Sequence, residues 1–163
     1  MKKTKGLKLY NLIFPLWILW LIPAAWLVVL PANLFIDFVV IILTMRRLHL
    51  PDRSRLTGKI LFPAWGYGFL ADFAGTGMMF VADNVDAFRT IFNWNTYNPL
   101  DNLFSFLWTA LSVLIAGLCI YFFNLKLVLN QVEFDIASRK KIALSLAVFT
   151  APYFFFLPTE LFF

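Results

Sequence analysis

Residues 9–45 hold no basic or acidic side chain other than Asp37. No feature of the chain constrains its fold more. The run is 37 residues long, whereas one bilayer crossing needs about 20 apolar residues. It is therefore two crossings or one very long helix. Both flanks are basic: Lys2, Lys3, Lys5 and Lys8 precede it, and Arg46, Arg47, Arg53, Arg55 and Lys59 follow it. Basic flanks belong on the cytoplasmic side, so the run has to turn back. Pro31-Ala32-Asn33 is the expected reversal, because proline suits a helix's first turn and disfavours helix in the residue before it. That gives spans near 9–29 and 32–48. The first resembles a secretory leader, but cleavage after Ala25 would put Pro23 where a small residue is expected, and Trp17 and Trp20 make its core bulky. It reads as a retained transmembrane helix.

Composition agrees with membrane residence. Of the 163 residues, 61% are hydrophobic and 14% charged, against about 45–50% and 25% in soluble domains. The length suits one domain. The net charge of +5 does not imply nucleic acid, because the basic residues sit at the ends of apolar runs. One cysteine, Cys119, and one histidine, His49, cannot build a closed zinc site or a bis-histidine haem. Neither a phosphate-binding glycine loop nor an HExxH motif is present. No catalytic residue, metal site or cofactor is assigned.

Three more spans follow. Residues 60–82 are one, interrupted by Pro63, Gly66, Gly68, Gly75 and Gly77. In the polar stretch 83–102, Val85, Phe88, Ile91 and Phe92 recur at helical spacing, with Trp94 and Tyr97 beyond. A short helix lying in the membrane interface with aromatic anchors is expected there. Asn93 to Asn98, before Pro99, is a turn. Residues 103–124 form the fourth span. Asp135 and Arg139 stand at the spacing of a helical ion pair. Residues 142–160 form the fifth span, kinked at Pro152. With the N-terminus inside and the C-terminus outside, residues 1–8, 49–59 and 125–141 face the cytoplasm. All 14 basic residues but Arg89 then lie inside or at the inner boundary. The expected fold is an all-α integral membrane protein, a five-helix bundle of a bacterial cytoplasmic membrane.

Asp72 falls near the middle of the third span. An acid there costs about 2.5–3.5 kcal/mol on insertion scales. It therefore faces protein or water. Ala64, Gly68, Ala71, Gly75 and Ala82 form a stripe of small residues on the same span, and Asp72 lies at its edge with Thr76 and Met79. The fourth span carries a matching stripe, Ser105, Thr109, Ser112, Ala116 and Cys119. The two stripes are expected to pack closely, with Thr109 or Ser112 hydrogen-bonding Asp72. Asp37 is expected about 8 Å below the outer end of its short helix, within reach of Arg89 and far from Asp72.

These residues suggest a small channel or carrier. Asp72 is its cation or proton site, Thr76, Thr109 and Ser112 are oxygen ligands, and Asp37 is a second acid on the path. The alternative is a non-catalytic accessory or assembly subunit. An intramembrane aspartyl enzyme ranks third, since the two acids are expected at different depths. Arg46, Arg47, Arg53, Arg55 and Lys59 suit anionic headgroups; His49 beside them reads as solvated or headgroup-facing. The expected partners are the lipid bilayer and either further copies of the chain or a larger membrane complex.

Overall fold

The computed structural model describes residues 23–95 and 98–158. The chain is all-helical, 81% helix, with no strand among the described residues. Four long helices dominate: α1 (Pro23–Arg47), α2 (Arg53–Asn84), α4 (Leu103–Phe123) and α5 (Ile136–Phe149). A five-residue helix, α3 (Asp86–Thr90), lies between α2 and α4. Helix α4 runs on through a π-helical turn, Asn124–Val128, and a 3-10 turn, Leu129–Gln131. A second 3-10 turn, Tyr153–Phe156, follows α5. Helix α2 packs against α1 and α4, and α5 packs against α4 and α1, so the four close a ring. Met78 of α2 meets Trp108 of α4 while Gly75 meets Ser112 and Ala116, so these two helices run antiparallel.

Two stretches, Val29–Arg47 and Leu103–Gln131, are long and apolar enough to cross a membrane. The exterior has the same character. Phe35, Phe62, Leu103, Phe149 and Phe154 are each more than 60% exposed. Soluble monomers rarely leave large contiguous apolar patches uncovered. Small and polar residues are fully buried inside, Ala71, Ser105, Thr109, Ser112 and Ala116, beside larger ones such as Ile41, Leu129 and Ile142.

The expected reversal at Pro31 does not occur. Helix α1 passes through Pro31 without a break. A proline removes one backbone donor and crowds the preceding turn, but transmembrane helices tolerate it. Residues 9–22 of the expected first span lie outside the described residues. The rest of it, 23–29, belongs to the same helix as the expected second span.

The turn between α1 and α2 explains the lone histidine. The His49 amide donates to Arg46 O at 3.2 Å, and the Leu50 amide to Met45 O at 3.2 Å. His49 itself is left-handed, with φ 53°. This is a Schellman ending, and His49 occupies the position where glycine or asparagine usually stands. Asp52, also left-handed at φ 49°, starts α2.

Helix α2 begins seven residues earlier than expected and absorbs Pro63 and its glycines without interruption. Helix α4 begins at Leu103 because Asn102 caps it: the Asn102 side chain accepts from the Ser105 amide at 2.9 Å. The expected fifth span starts too late and ends too late. Asp135 caps α5 by accepting from the Ser138 amide at 3.1 Å. Hydrogen bonds from the Ser138 hydroxyl, and then from its amide, hold the Asp135 carboxyl below the usual carboxylate range. The helix stops at Phe149, ahead of Pro152, so that proline ends the helix where a kink was expected. Residues 159 and 160 lie outside the described residues. The expected Asp135–Arg139 pair does not form. The Arg139 guanidinium instead donates to Phe134 O at 2.9 Å, Asn130 Oδ1 at 2.6 Å and Val132 O at 3.1 Å, clamping the turn before α5.

The segment between α2 and α4 folds back onto the bundle. Helix α3 lies where a short helix was expected, and Phe88 packs on Trp108 with ring centroids 4.7 Å apart. Trp94 is not an interfacial anchor. It is 6% exposed, and its indole donates to Asp83 Oδ1 at 2.8 Å. Tyr97, the other expected anchor, lies outside the described residues.

Candidate functional site

The two small-residue stripes meet. A methyl group added at Gly75 would stand 3.0 Å from Ser112 O and 3.1 Å from Ala116 Cβ, so α2 and α4 are in backbone contact there. The Trp108 indole fixes the same pair of helices by donating to Met78 O at 2.9 Å.

The expected hydrogen bond from α4 to Asp72 is absent. The Ser112 hydroxyl donates to Trp108 O at 2.9 Å, within its own helix. The Thr76 hydroxyl likewise donates to the Asp72 backbone carbonyl at 2.9 Å, away from the carboxyl. A hydroxyl on a helix finds the carbonyl one turn back within easy reach, and that bond uses up its single proton. Thr109 Oγ1 and Asp72 Oδ1 are both buried with no hydrogen-bond partner among the described residues.

Asp72 faces the other way, toward α1 and the end of α5. A cavity of about 150 Å³ lies there. Helix α1 contributes Asn33 and Asp37, α2 contributes Trp65, Gly68 and Asp72, and the segment 149–154 closes it. Thr76, Thr109 and Ser112 do not line it. Asp37 is 7% exposed and close enough to interact electrostatically with Asp72. The two acids, expected far apart at different depths, therefore meet at one cavity. The reason is the continuity of α1. Asp37 lies 14 residues from Pro23 and 10 from Arg47, so it is mid-helix, and no helix end stands near Pro31 to raise it toward the surface. No ion pair joins Asp37 to Arg89.

The rest of the cavity is chemically uneven. Thr150 stands within hydrogen-bonding reach of the Asp37 carboxyl, and its hydroxyl also lies 2.8 Å from Leu146 O. Its single proton serves one of these two oxygens at a time. Trp65 Nε1 is a buried donor with no partner among the described residues. The Trp65 ring meets Phe69 edge-on at 5.2 Å. A donor and an acceptor without partners, in a space large enough for a few waters at about 30 Å³ each, make a polar site in an apolar bundle. Among the described residues no lysine, arginine or histidine lines it.

Sequence reasoning named both acids but not the residues that join them. Asn33, Trp65 and Thr150 gave no signal, because each belongs to a different helix face whose pairing depends on where α1 and α5 end. The proposed headgroup residues do come together. Arg46 and Arg47 close α1, Arg53, Arg55 and Lys59 open α2, and all five are exposed around one turn.

Comparison with protein families, with curated proteins and with solved structures finds no match for this chain.

Proposed function

We propose that this protein moves a proton or a small monovalent cation across a bacterial cytoplasmic membrane, with Asp37 and Asp72 as its binding site. One observation carries the reading. Two carboxyl groups from separate helices face one small cavity that holds no basic residue among the described residues. Acids within a membrane mark ion and proton pathways when protein offers them no counter-charge. Such a pair must take up a proton or a cation to offset its own charge. A calcium cage of about six to eight oxygens needs more ligands than the pair supplies. Among the described residues no three His, Cys, Asp or Glu side chains come together.

The proposed topology places residues 49–59 and 125–141 in the cytoplasm and 83–102 outside. Helices α1, α2, α4, and α5 with its 3-10 extension run between those levels. The clustering of Arg46, Arg47, Arg53, Arg55 and Lys59 around one turn supports this orientation and suits contact with anionic headgroups. Four described helices make a narrow bundle, and a path through it is more readily completed by further copies of the chain.

The test is flux. Protein reconstituted in vesicles under a pH, sodium or potassium gradient should dissipate one of them, and Asp72→Asn should stop it. Flux that survives the substitution removes Asp72 from the path. No flux under any gradient, together with a stoichiometric co-purifying partner, favours the accessory subunit.

A further inference from the structure

A second concavity lies on another face of the bundle, between α4 and α5. It is a groove of about 620 Å³ with apolar walls. Gly117 makes its floor: a methyl group there would sit 3.5 Å from Ala147 O, so the two helices approach closely. Leu114, Leu118, Leu144 and Val148 form its walls, and each is about half exposed, which leaves the groove open along its length. At one end the walls stop and Lys140 and Lys141 begin. Neither lysine is paired with an acid among the described residues.

Its dimensions match one leaflet. The lining runs from Ala110 to Tyr121 on α4, and from Lys140 to Val148 on α5 with Ala151 just beyond that helix. Eleven steps along α4 at about 1.5 Å each give roughly 16 Å, against a hydrocarbon core of about 30 Å for two leaflets. The lysines stand in the first turns of α5. The same end of the bundle carries the basic turn between α1 and α2, because Leu48 and Leu50 pack in one cluster with Val132, Phe134 and Ile142.

We propose that this groove binds an anionic phospholipid of the inner leaflet, one acyl chain along Gly117 and Ala147 and the headgroup phosphate between Lys140 and Lys141. The long lysine stems cover the upper groove while their ammonium groups reach the headgroup level. A zwitterionic lipid fills the apolar part equally well but carries its own cation beside the phosphate, so the two lysines select for net negative charge. The site is separate from the acid cavity.

Photo-crosslinking tests this. The full chain is reconstituted in phosphatidylcholine vesicles containing a small fraction of phosphatidylglycerol with a diazirine in one acyl chain, or of the matching phosphatidylcholine probe. Labelled peptides are located by mass spectrometry. Phosphatidylglycerol should label residues 110–121 and 144–151 far more than the phosphatidylcholine probe does. Lys140→Gln with Lys141→Gln should reduce that preference by about fivefold per lysine. Labelling of the exposed α1 face at Phe35 and Leu43 should stay the same for both lipids, which certifies the fold of the variant. Arg46→Gln with Arg47→Gln should leave groove labelling unchanged. Equal groove labelling by the two probes, or a preference that survives loss of both lysines, overturns the proposal. So does a groove that neither probe labels, since a protein partner then covers it.

Discussion

Gly75→Ala should separate close helix packing from helix propensity. The substitution adds one methyl group. In a helix interior alanine is favoured over glycine by about 0.8–1.0 kcal/mol, so propensity alone would stabilise the protein. At Gly75 the new carbon would stand 2.9 Å from Phe155 Cε2, 3.0 Å from Ser112 O and 3.1 Å from Ala116 Cβ. The phenyl ring can swing aside, but the Ser112 carbonyl belongs to a helix backbone and moves only if α4 moves. Overpacking of this kind costs about 1–3 kcal/mol. The sum is between no effect and about 2 kcal/mol of destabilisation. Gly77→Ala is the control. It lies half a turn away on the same helix with nothing within 4 Å, and it should be more stable by up to about 1 kcal/mol. Reversible unfolding in mixed micelles reads both. The contact is measured by the difference between the variants, expected to be about 1–3 kcal/mol. If Gly75→Ala gains stability as Gly77→Ala does, the α2–α4 contact is not as close as described.

Arg139 bridges three acceptors, and a guanidinium fork is not replaced by an ammonium group; Arg139→Lys should therefore lower stability nearly as much as Arg139→Ala, by about 2 kcal/mol, in the same unfolding assay. Asn102→Ala should remove the α4 cap and cost about 1 kcal/mol, with faster amide exchange at Ser105. The Asp135 carboxyl is held below its ordinary range, so its contribution to the start of α5 is complete above the ordinary carboxylate pKa of about 3.9 and is lost as pH falls through the lower, folded value. Protection of the Ser138 amide should fall over that acidic window in the wild type, and Asp135→Ala should abolish the dependence.

How much the sequence disclosed varied with the kind of signal. The start of α4 was legible because polar Asn102 precedes an apolar run and is a good cap, but its end was not, since the helical path continues past buried Asn124 to Gln131. The stripes were legible because small residues at helical spacing have few uses besides close approach. The course of α1 was not. The charge rule demanded a reversal and proline offered a place for it, but a membrane helix carries a proline where surrounding structure re-satisfies the backbone. That one error displaced Asp37 toward the surface and hid its meeting with Asp72. The hydroxyls of Thr76 and Ser112 misled for a different reason: spacing shows which face a side chain occupies, but not that its proton goes to the carbonyl one turn back. The walls of the acid cavity come from three helices, and no local pattern announces a pairing set by where α1 and α5 run.

The proposed transport requires Asp37 and Asp72 to act as one site. Groups that work as a unit are strongly non-additive. Initial rates of proton and cation flux in vesicles should be measured for Asp37→Asn, Asp72→Asn and the double variant, at matched protein orientation and content. The wild type should show flux, either single substitution should abolish it, and the double variant should be no worse than either single one. Flux that persists in both single variants, or two partial losses that multiply in the double variant, would contradict the proposed single site.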